Sequence, residues 1–203
     1  IKKSNNGVPY YDVTRGNRDI MVASAVGHLY TVTEAEKGKW TYPVFDVKWE
    51  QSSKVDKNSA YTSKYVTTIK KLAKEADEFT IATDYDIEGE VIGLNILKFA
   101  CKKKDGNRMK YSTVTKPDLI KAYENKSKTL DWGQAIAGVT RHELDWYYGI
   151  NLSRALTLAV KTTGTFQLLS SGRVQGPALK VLVDKEKEIK AVVPDPYWHV
   201  KLH

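Results

Sequence analysis

The chain has 203 residues, 41% of them hydrophobic and 28% charged, which allows a real core and excludes a disordered, charge-dominated tail. Its formal net charge of +8 favours a polyanionic partner, because basic side chains release counterions from phosphates, although a generally basic soluble surface has the same balance. The single cysteine, Cys101, excludes an internal disulfide and a zinc site of several cysteines, and no apolar run approaches a membrane span. A cytoplasmic protein is expected on those grounds.

The stretch from Ile1 to Asp19 is polar and turn-rich, and its opening on Ile1 rather than methionine suggests a trimmed N-terminus. Ile20 to Ala25 predicts a short buried strand ending at Gly27-His28, and Val44 to Trp49 alternates as a half-exposed strand does. Ser59 to Glu78 predicts an amphipathic helix with Tyr65, Ile69, Leu72 and Ala76 on one face. Phe79 to Thr83 is β-prone, Glu88 to Lys103 predicts a helix packed on more than one side, and Met109 to Val114 predicts another strand. Strands alternating with helices imply an α/β fold with a parallel sheet and flanking helices. From Lys116 onward the pattern is helical, over Pro117 to Asn125, Trp132 to Tyr148, Leu152 to Thr162 and Pro177 to Lys190. The expected organisation is an α/β domain over 1–115, a mainly helical domain over 116–195, and the start of a further unit over 196–203, with Trp198 to His203 its first strand.

Chemistry concentrates where the β-prone run meets the helix. Asp84, Asp86 and Glu88 are spaced two apart, so an extended backbone turns them to one side at the carboxyl end of a strand, where open α/β sheets bind ligands. Clustered carboxylates suit a hard cation such as Mg2+, which can contact a phosphate and offset charge during displacement at phosphorus. The same residues also suit a solvated loop leading into a helix whose N-terminus favours acidic side chains. Arg141 and Asp145 stand four apart and share a helix face, either as a surface ion pair or as a phosphate grip with its orienting partner. Ser170, Ser171, Gly172 and Arg173 precede Pro177, a residue suited to the first turn of a helix, and form either a turn or an anion-binding corner. Trp132 and Trp146 are core residues at helical spacing or platforms for bases.

Five segments carry a family resemblance. Thr83-Asp84-Tyr85-Asp86-Ile87-Glu88-Gly89-Glu90 resembles the Asp-x-Asp-x-Glu motif of the Toprim fold, which is shared by type IA and type II topoisomerases, bacterial primases and some nucleases and repair proteins. The run from Thr140 to Thr157 resembles a signature of type IA DNA topoisomerases, and Ser170-Ser171-Gly172-Arg173-Val174-Gln175 resembles their Ser-x-Gly-Arg-Val-Gln motif, with Gly176 departing from the small hydroxyl residue usual there. Ala25-Val26-Gly27-His28-Leu29 is similar to their Gly-His turn, and Pro43 to Trp49 is most similar to the archaeal topoisomerase I or topoisomerase III branch.

The resemblance implies a Toprim domain followed by a winged-helix-like helical domain. It implies Mg2+ held by Asp84, Asp86 and Glu88, with Glu88 and Arg141 catalytic. It implies contacts to single-stranded or underwound DNA from His28, Arg141, His142, Asp145, Ile150, Thr157, Ser170, Ser171, Gly172, Arg173, Val174 and Gln175. The implied activity is relaxation of negatively supercoiled DNA near the nucleoid, through a 5′-phosphotyrosyl intermediate. None of the twelve tyrosines sits in a sequence resembling the family's nucleophile, so that residue is expected outside this chain. The family's initial strand with its Glu-Lys pair has no match before Ile20, which predicts a fragment. No Walker loop is present, in keeping with an activity that needs no nucleotide cofactor. A Toprim nuclease or primase and a noncatalytic DNA-binding module are the rival readings.

Overall fold

The computed structural model describes residues 1–36, 38 and 40–202. Contacts gather the chain into two units, Ile1–Lys39 with Phe45–Trp146, and Trp40–Val44 with Tyr147–His203.

The first unit opens with strands β1 (Lys2–Asn5), β2 (Val8–Arg15) and β3 (Arg18–Ala23), paired in sequence as an antiparallel sheet. The polar, turn-rich reading of this stretch is corrected here. Asn6 and Gly7 both have positive φ, as required by the two-residue turn that Asn-Gly favours, and Asn5 faces Val8 across it. The Asn5 amide donates to Thr68 Oγ1 at 3.1 Å and ties the sheet to the second helix. The expected burial of Ile20 to Ala25 also fails in part, because Val22 is exposed.

Strands β4 (Tyr30–Glu34) and β5 (Val47–Gln51) form an antiparallel pair with Val32 opposite Trp49. A short helix α1 (Ser52–Val55) and a 3-10 turn (Lys57–Ser59) lead into α2 (Thr62–Leu72). Its buried Val66 and Ile69 pack on Leu29, Tyr30 and Ala100, which is the main core. The helix stops well before Glu78, because Lys74 and Glu75 bond back three residues and tighten the last turn.

Strand β6 (Thr80–Ile81) runs parallel to β7 (Asn107–Arg108). The α/β class holds, but among the described residues the parallel sheet reduces to this one pair and the other ladders are antiparallel. The strand expected at Met109 to Val114 is displaced to Asn107–Arg108. Helix α3 (Ile87–Asn95) continues as a π-helical segment (Ile96–Cys101) and ends at Lys102 in the left-handed region. Ile81, Leu97 and Leu130 form a second core cluster beneath it. Helix α4 (Lys116–Glu124) starts on Thr115, whose hydroxyl accepts from the Asp118 amide.

Helix α5 (Trp132–Lys161) is continuous, where two helices were expected. Its residues to Trp146 cluster with the first unit and those from Tyr147 with the second. Asn151 does not break it, because its side-chain amide is occupied elsewhere: Oδ1 accepts from the Val44 amide at 2.7 Å and Nδ2 donates to the Val44 carbonyl at 3.0 Å. The second unit closes with α6 (Gln175–Lys190), which buries none of its residues. Residues 192–202 form no strand, and His203 lies outside the described residues. No described helix is long and apolar enough to cross a membrane.

Candidate active site and strand-binding segments

The acidic segment is the loop between β6 and α3, and a fully buried arginine holds its backbone. Arg108 Nη2 donates to the Asp84 carbonyl at 2.6 Å, and Nη1 donates to the carbonyls of Thr83 at 2.7 Å and Met109 at 2.8 Å. Its Nε donates to Glu90 Oε2 at 2.6 Å, and both side chains of this pair are fully buried. Glu90 Oε1 accepts from the Asp131 amide at 2.8 Å, one residue before α5. A buried charge without a partner is strongly unfavourable, so the pair and its hydrogen bonds fix loop and helix together. Sequence reasoning quoted Glu90 only as part of a motif and missed Arg108. The available signal was a second glutamate inside an otherwise apolar helix, which requires a buried cation nearby.

The start of α3 is set by Asp86, whose Oδ1 accepts from the Gly89 amide at 2.6 Å as an N-cap. Gly89 is required because a Cβ there would be driven into the Asp84 carbonyl oxygen. Gly138 on α5 likewise admits Ile87 and Val91, which brings α5 close to α3. Asp84 and Asp86 are exposed and Glu88 is half-buried. Tyr85 is engaged, its hydroxyl donating to Asp131 Oδ2 at 3.0 Å and accepting from Lys110 Nζ at 3.0 Å.

Glu88 gathers His28, Arg141 and His142 in the first unit. Its Oε2 lies 3.0 Å from His28 Nε2 and 2.8 Å from His142 Nε2, and its Oε1 lies 3.4 Å from Arg141 Nη1. Arg141 also approaches Asp145 at 3.8 Å, one turn along α5. A carboxylate only accepts, so both Nε2 atoms carry hydrogen. His28 Nδ1 is buried with no hydrogen-bond partner, which suits a neutral ring with a bare lone pair on that nitrogen. Burial, and then the facing His142, push the His28 pKa down, which agrees with the neutral ring. Burial works against ionising Glu88, but the His142 hydrogen bond and the facing His142, His28 and Arg141 outweigh it and hold the carboxyl below the usual range. The Trp49 ring packs 5.7 Å from that of His142.

The expected convergence of three carboxylates is therefore redistributed. Asp84 and Asp86 stand on the exposed loop, while Glu88 turns to the two histidines, with which it forms a group whose ligand atoms lie within 4.8 Å of one another. The cause is local: capping draws the Asp86 carboxylate onto α3, and Glu88 sits within the helix, where residues two apart no longer share a side. The structure brings His28, Arg141, His142 and Asp145 together around Glu88.

In the second unit, Ser153 Oγ accepts from the Ser171 amide at 2.9 Å and donates to its carbonyl at 3.2 Å. Thr157 is fully buried, and its hydroxyl both accepts from the Leu169 amide and donates to the Leu169 carbonyl. Thr157 thereby holds the segment that carries Ser170 and Ser171. Ile150 is half-buried on α5, Gly172 is half-buried, and Arg173, Val174 and Gln175 are exposed at the start of α6. Trp132 is partly exposed, with Nε1 donating to Asp105 Oδ2 at 3.1 Å. Burial pushes the Cys101 thiol up to about 11, an unreactive packed group.

The loop of exposed Asp84 and Asp86 leads into a helix whose first turn faces two histidines and an arginine. The family model for the Toprim domain matches residues 10–114, and the model for DNA topoisomerase matches residues 129–203. The chain is 51% identical to DNA topoisomerase 1 of Methanocaldococcus jannaschii over 201 residues, covering 98% of this chain and 26% of that protein. It is 50% identical to DNA topoisomerase 1 of Pyrococcus furiosus over 205 residues, covering 100% of this chain and 19% of that protein. The solved structure of full-length topoisomerase I from Thermotoga maritima matches with a TM-score of 0.57 at 25% identity, over 85% of this chain and 27% of that one. The chain belongs to the type IA DNA topoisomerase family, and it spans about a quarter of the length of the curated relatives it matches.

Proposed function

We propose that this chain forms part of an ATP-independent type IA DNA topoisomerase, one that relaxes negatively supercoiled DNA by cutting one strand, passing another and resealing. The cut strand is held as a 5′-phosphotyrosyl ester on a tyrosine from another part of the whole protein. The observation that carries the reading is the cluster of Glu88 with Arg141, His142 and His28, next to the loop of Asp84 and Asp86. The donor set fits Mg2+: the Asp84 carboxylate accepts no hydrogen bond among the described residues, Asp86 keeps Oδ2 after capping α3, and both are exposed oxygen ligands. Bound there, the ion supplies charge neutralisation at a phosphate.

The chain's own residues bind and position the strand. Arg141 grips a phosphate and Asp145 orients its guanidinium. His28 and His142 hold the Glu88 carboxylate ionised and aimed, and Glu88 is a third ligand or the group that moves a proton at the reacting oxygen. In the second unit Ser170, Ser171, Gly172, Arg173, Val174 and Gln175 bind phosphates of DNA. We assign the Toprim domain to 1–115, a helical DNA-binding domain to 116–195 and the start of a further domain to 196–203. The whole protein acts in the cytoplasm at the nucleoid.

Fluorescence anisotropy of a labelled single-stranded oligonucleotide tests this. The chain should bind weakly, lose affinity as salt rises, and bind less well as Arg141→Ala. Salt-independent binding would contradict it, and Mg2+-dependent cutting by this chain alone would favour the nuclease reading.

A further inference from the structure

We propose that His28, Glu88 and His142 form a second metal site, one that takes a borderline transition-metal cation such as Zn2+ and whose occupation withdraws Glu88 from the Mg2+-dependent chemistry. The withdrawal rests on the function proposed above; the metal site rests on geometry alone.

The three ligand atoms lie within 4.8 Å of one another, and both imidazole Nε2 atoms already stand at 3.0 and 2.8 Å from one carboxylate oxygen. Around a tetrahedral zinc with bonds near 2.0–2.1 Å, neighbouring ligand atoms sit about 3.3 Å apart. Replacing the two N–H···O hydrogen bonds by a shared cation opens each of those contacts by a few tenths of an ångström, and the two histidine nitrogens, within 4.8 Å of one another, draw together to complete the set. Two nitrogens and one oxygen favour Zn2+, Co2+ or Ni2+ over Mg2+, which prefers oxygen ligands and keeps its waters.

The ligands come from three separately anchored elements. His28 follows Gly27 at positive φ, and its carbonyl accepts from Ser52 Oγ at 2.9 Å. Glu88 stands in the first turn of α3, which Asp86 caps. His142 is held within α5 and packed on Trp49. The metal takes Glu88 Oε2 and leaves Oε1 to Arg141, an outer partner that fixes the carboxylate plane. Arg141 also opposes a second cation, and Asp145 on its other side offsets that charge. Binding at His28 Nε2 moves its proton to Nδ1, which is buried and faces no acceptor among the described residues. This weakens the site relative to a structural zinc, so it fills and empties with free metal.

The test titrates the whole chain with Co2+, read by visible absorption, and with Zn2+, read by competition against a chromophoric chelator. One equivalent should bind, and His142→Gln should lose more than the roughly tenfold that removal of even an outer partner costs. His28→Asn serves as the second variant, with circular dichroism confirming that each is folded. Asp84→Asn should keep zinc affinity while losing Mg2+ affinity. No stoichiometric uptake, or uptake indifferent to both histidine changes, overturns the site. Uptake lost in Asp84→Asn alone places the metal at the aspartates and also overturns it. Uptake with the predicted histidine dependence that leaves the Mg2+ isotherm untouched supports the zinc site and removes Glu88 from the magnesium reading.

Discussion

Arg108→Met is expected to destabilise the first unit severely. The substitution leaves the fully buried Glu90 carboxyl without its cation, and it deprives the carbonyls of Thr83, Asp84 and Met109 of their donor. Removing one partner of a buried ion pair costs about 3–5 kcal/mol. Against a native stability of roughly 5–15 kcal/mol, this is a large fraction of the whole. Urea unfolding followed by circular dichroism should show a midpoint well below wild type at an unchanged slope. Glu90→Gln should cost less, because its single amide oxygen still accepts from one of the two donors, Arg108 Nε or the Asp131 amide, while Arg108 retains its three backbone carbonyls. The double change Arg108→Met with Glu90→Leu should recover part of the loss, since no charge is then stranded. A loss of under about 1 kcal/mol in Arg108→Met, the size of an exposed pair, would refute the reasoning.

Asp86→Ala should cost about 0.5–2 kcal/mol by removing the cap on α3, whereas Asp86→Asn should keep the cap and lose Mg2+ affinity; equilibrium unfolding and calorimetry separate the two roles. Gly89→Ala forces a Cβ into the Asp84 carbonyl and should cost about 1–3 kcal/mol or more in the same unfolding assay. His28 has a folded pKa below its ordinary 6.5, so its contribution is present above 6.5 and is lost as pH falls through the folded value. Thermal melting should therefore fall from pH 8 to pH 5.5, and the slope should be shallower in His28→Asn.

Much of this architecture is legible in the sequence. The helices expected over Pro117 to Asn125 and Pro177 to Lys190, the β-prone run Phe79 to Thr83 around Thr80–Ile81, and the buried α3 are matched within a few residues, and all follow from apolar periodicity and terminal signals. The opening hairpin was hidden because Asn6-Gly7 follows the polar run Lys2 to Asn5, and its sheet is mostly exposed, so no alternation marks it. The unity of α5 was hidden because Gly149 and Asn151 are helix-weakening residues whose cost is offset by contacts distant in sequence, with Val44 for Asn151. At the site, spacing located Glu88 and Arg141 but treated the three carboxylates as a set. Pairing of Glu88 with His28, sixty residues earlier, and with His142, on a later helix, is a tertiary fact that no local pattern carries. Arg108 is the extreme case, since its whole significance lies in what it touches once buried.

Relaxation of negatively supercoiled plasmid by the whole protein containing this chain tests the central claim most directly. Wild type should relax the plasmid with Mg2+ and no ATP. Arg141→Ala and the double change Asp84→Asn with Asp86→Asn should each fall by at least roughly tenfold, a barrier rise of about 1.4 kcal/mol or more. Unchanged relaxation in both variants, or activity that persists in excess chelator, would contradict it.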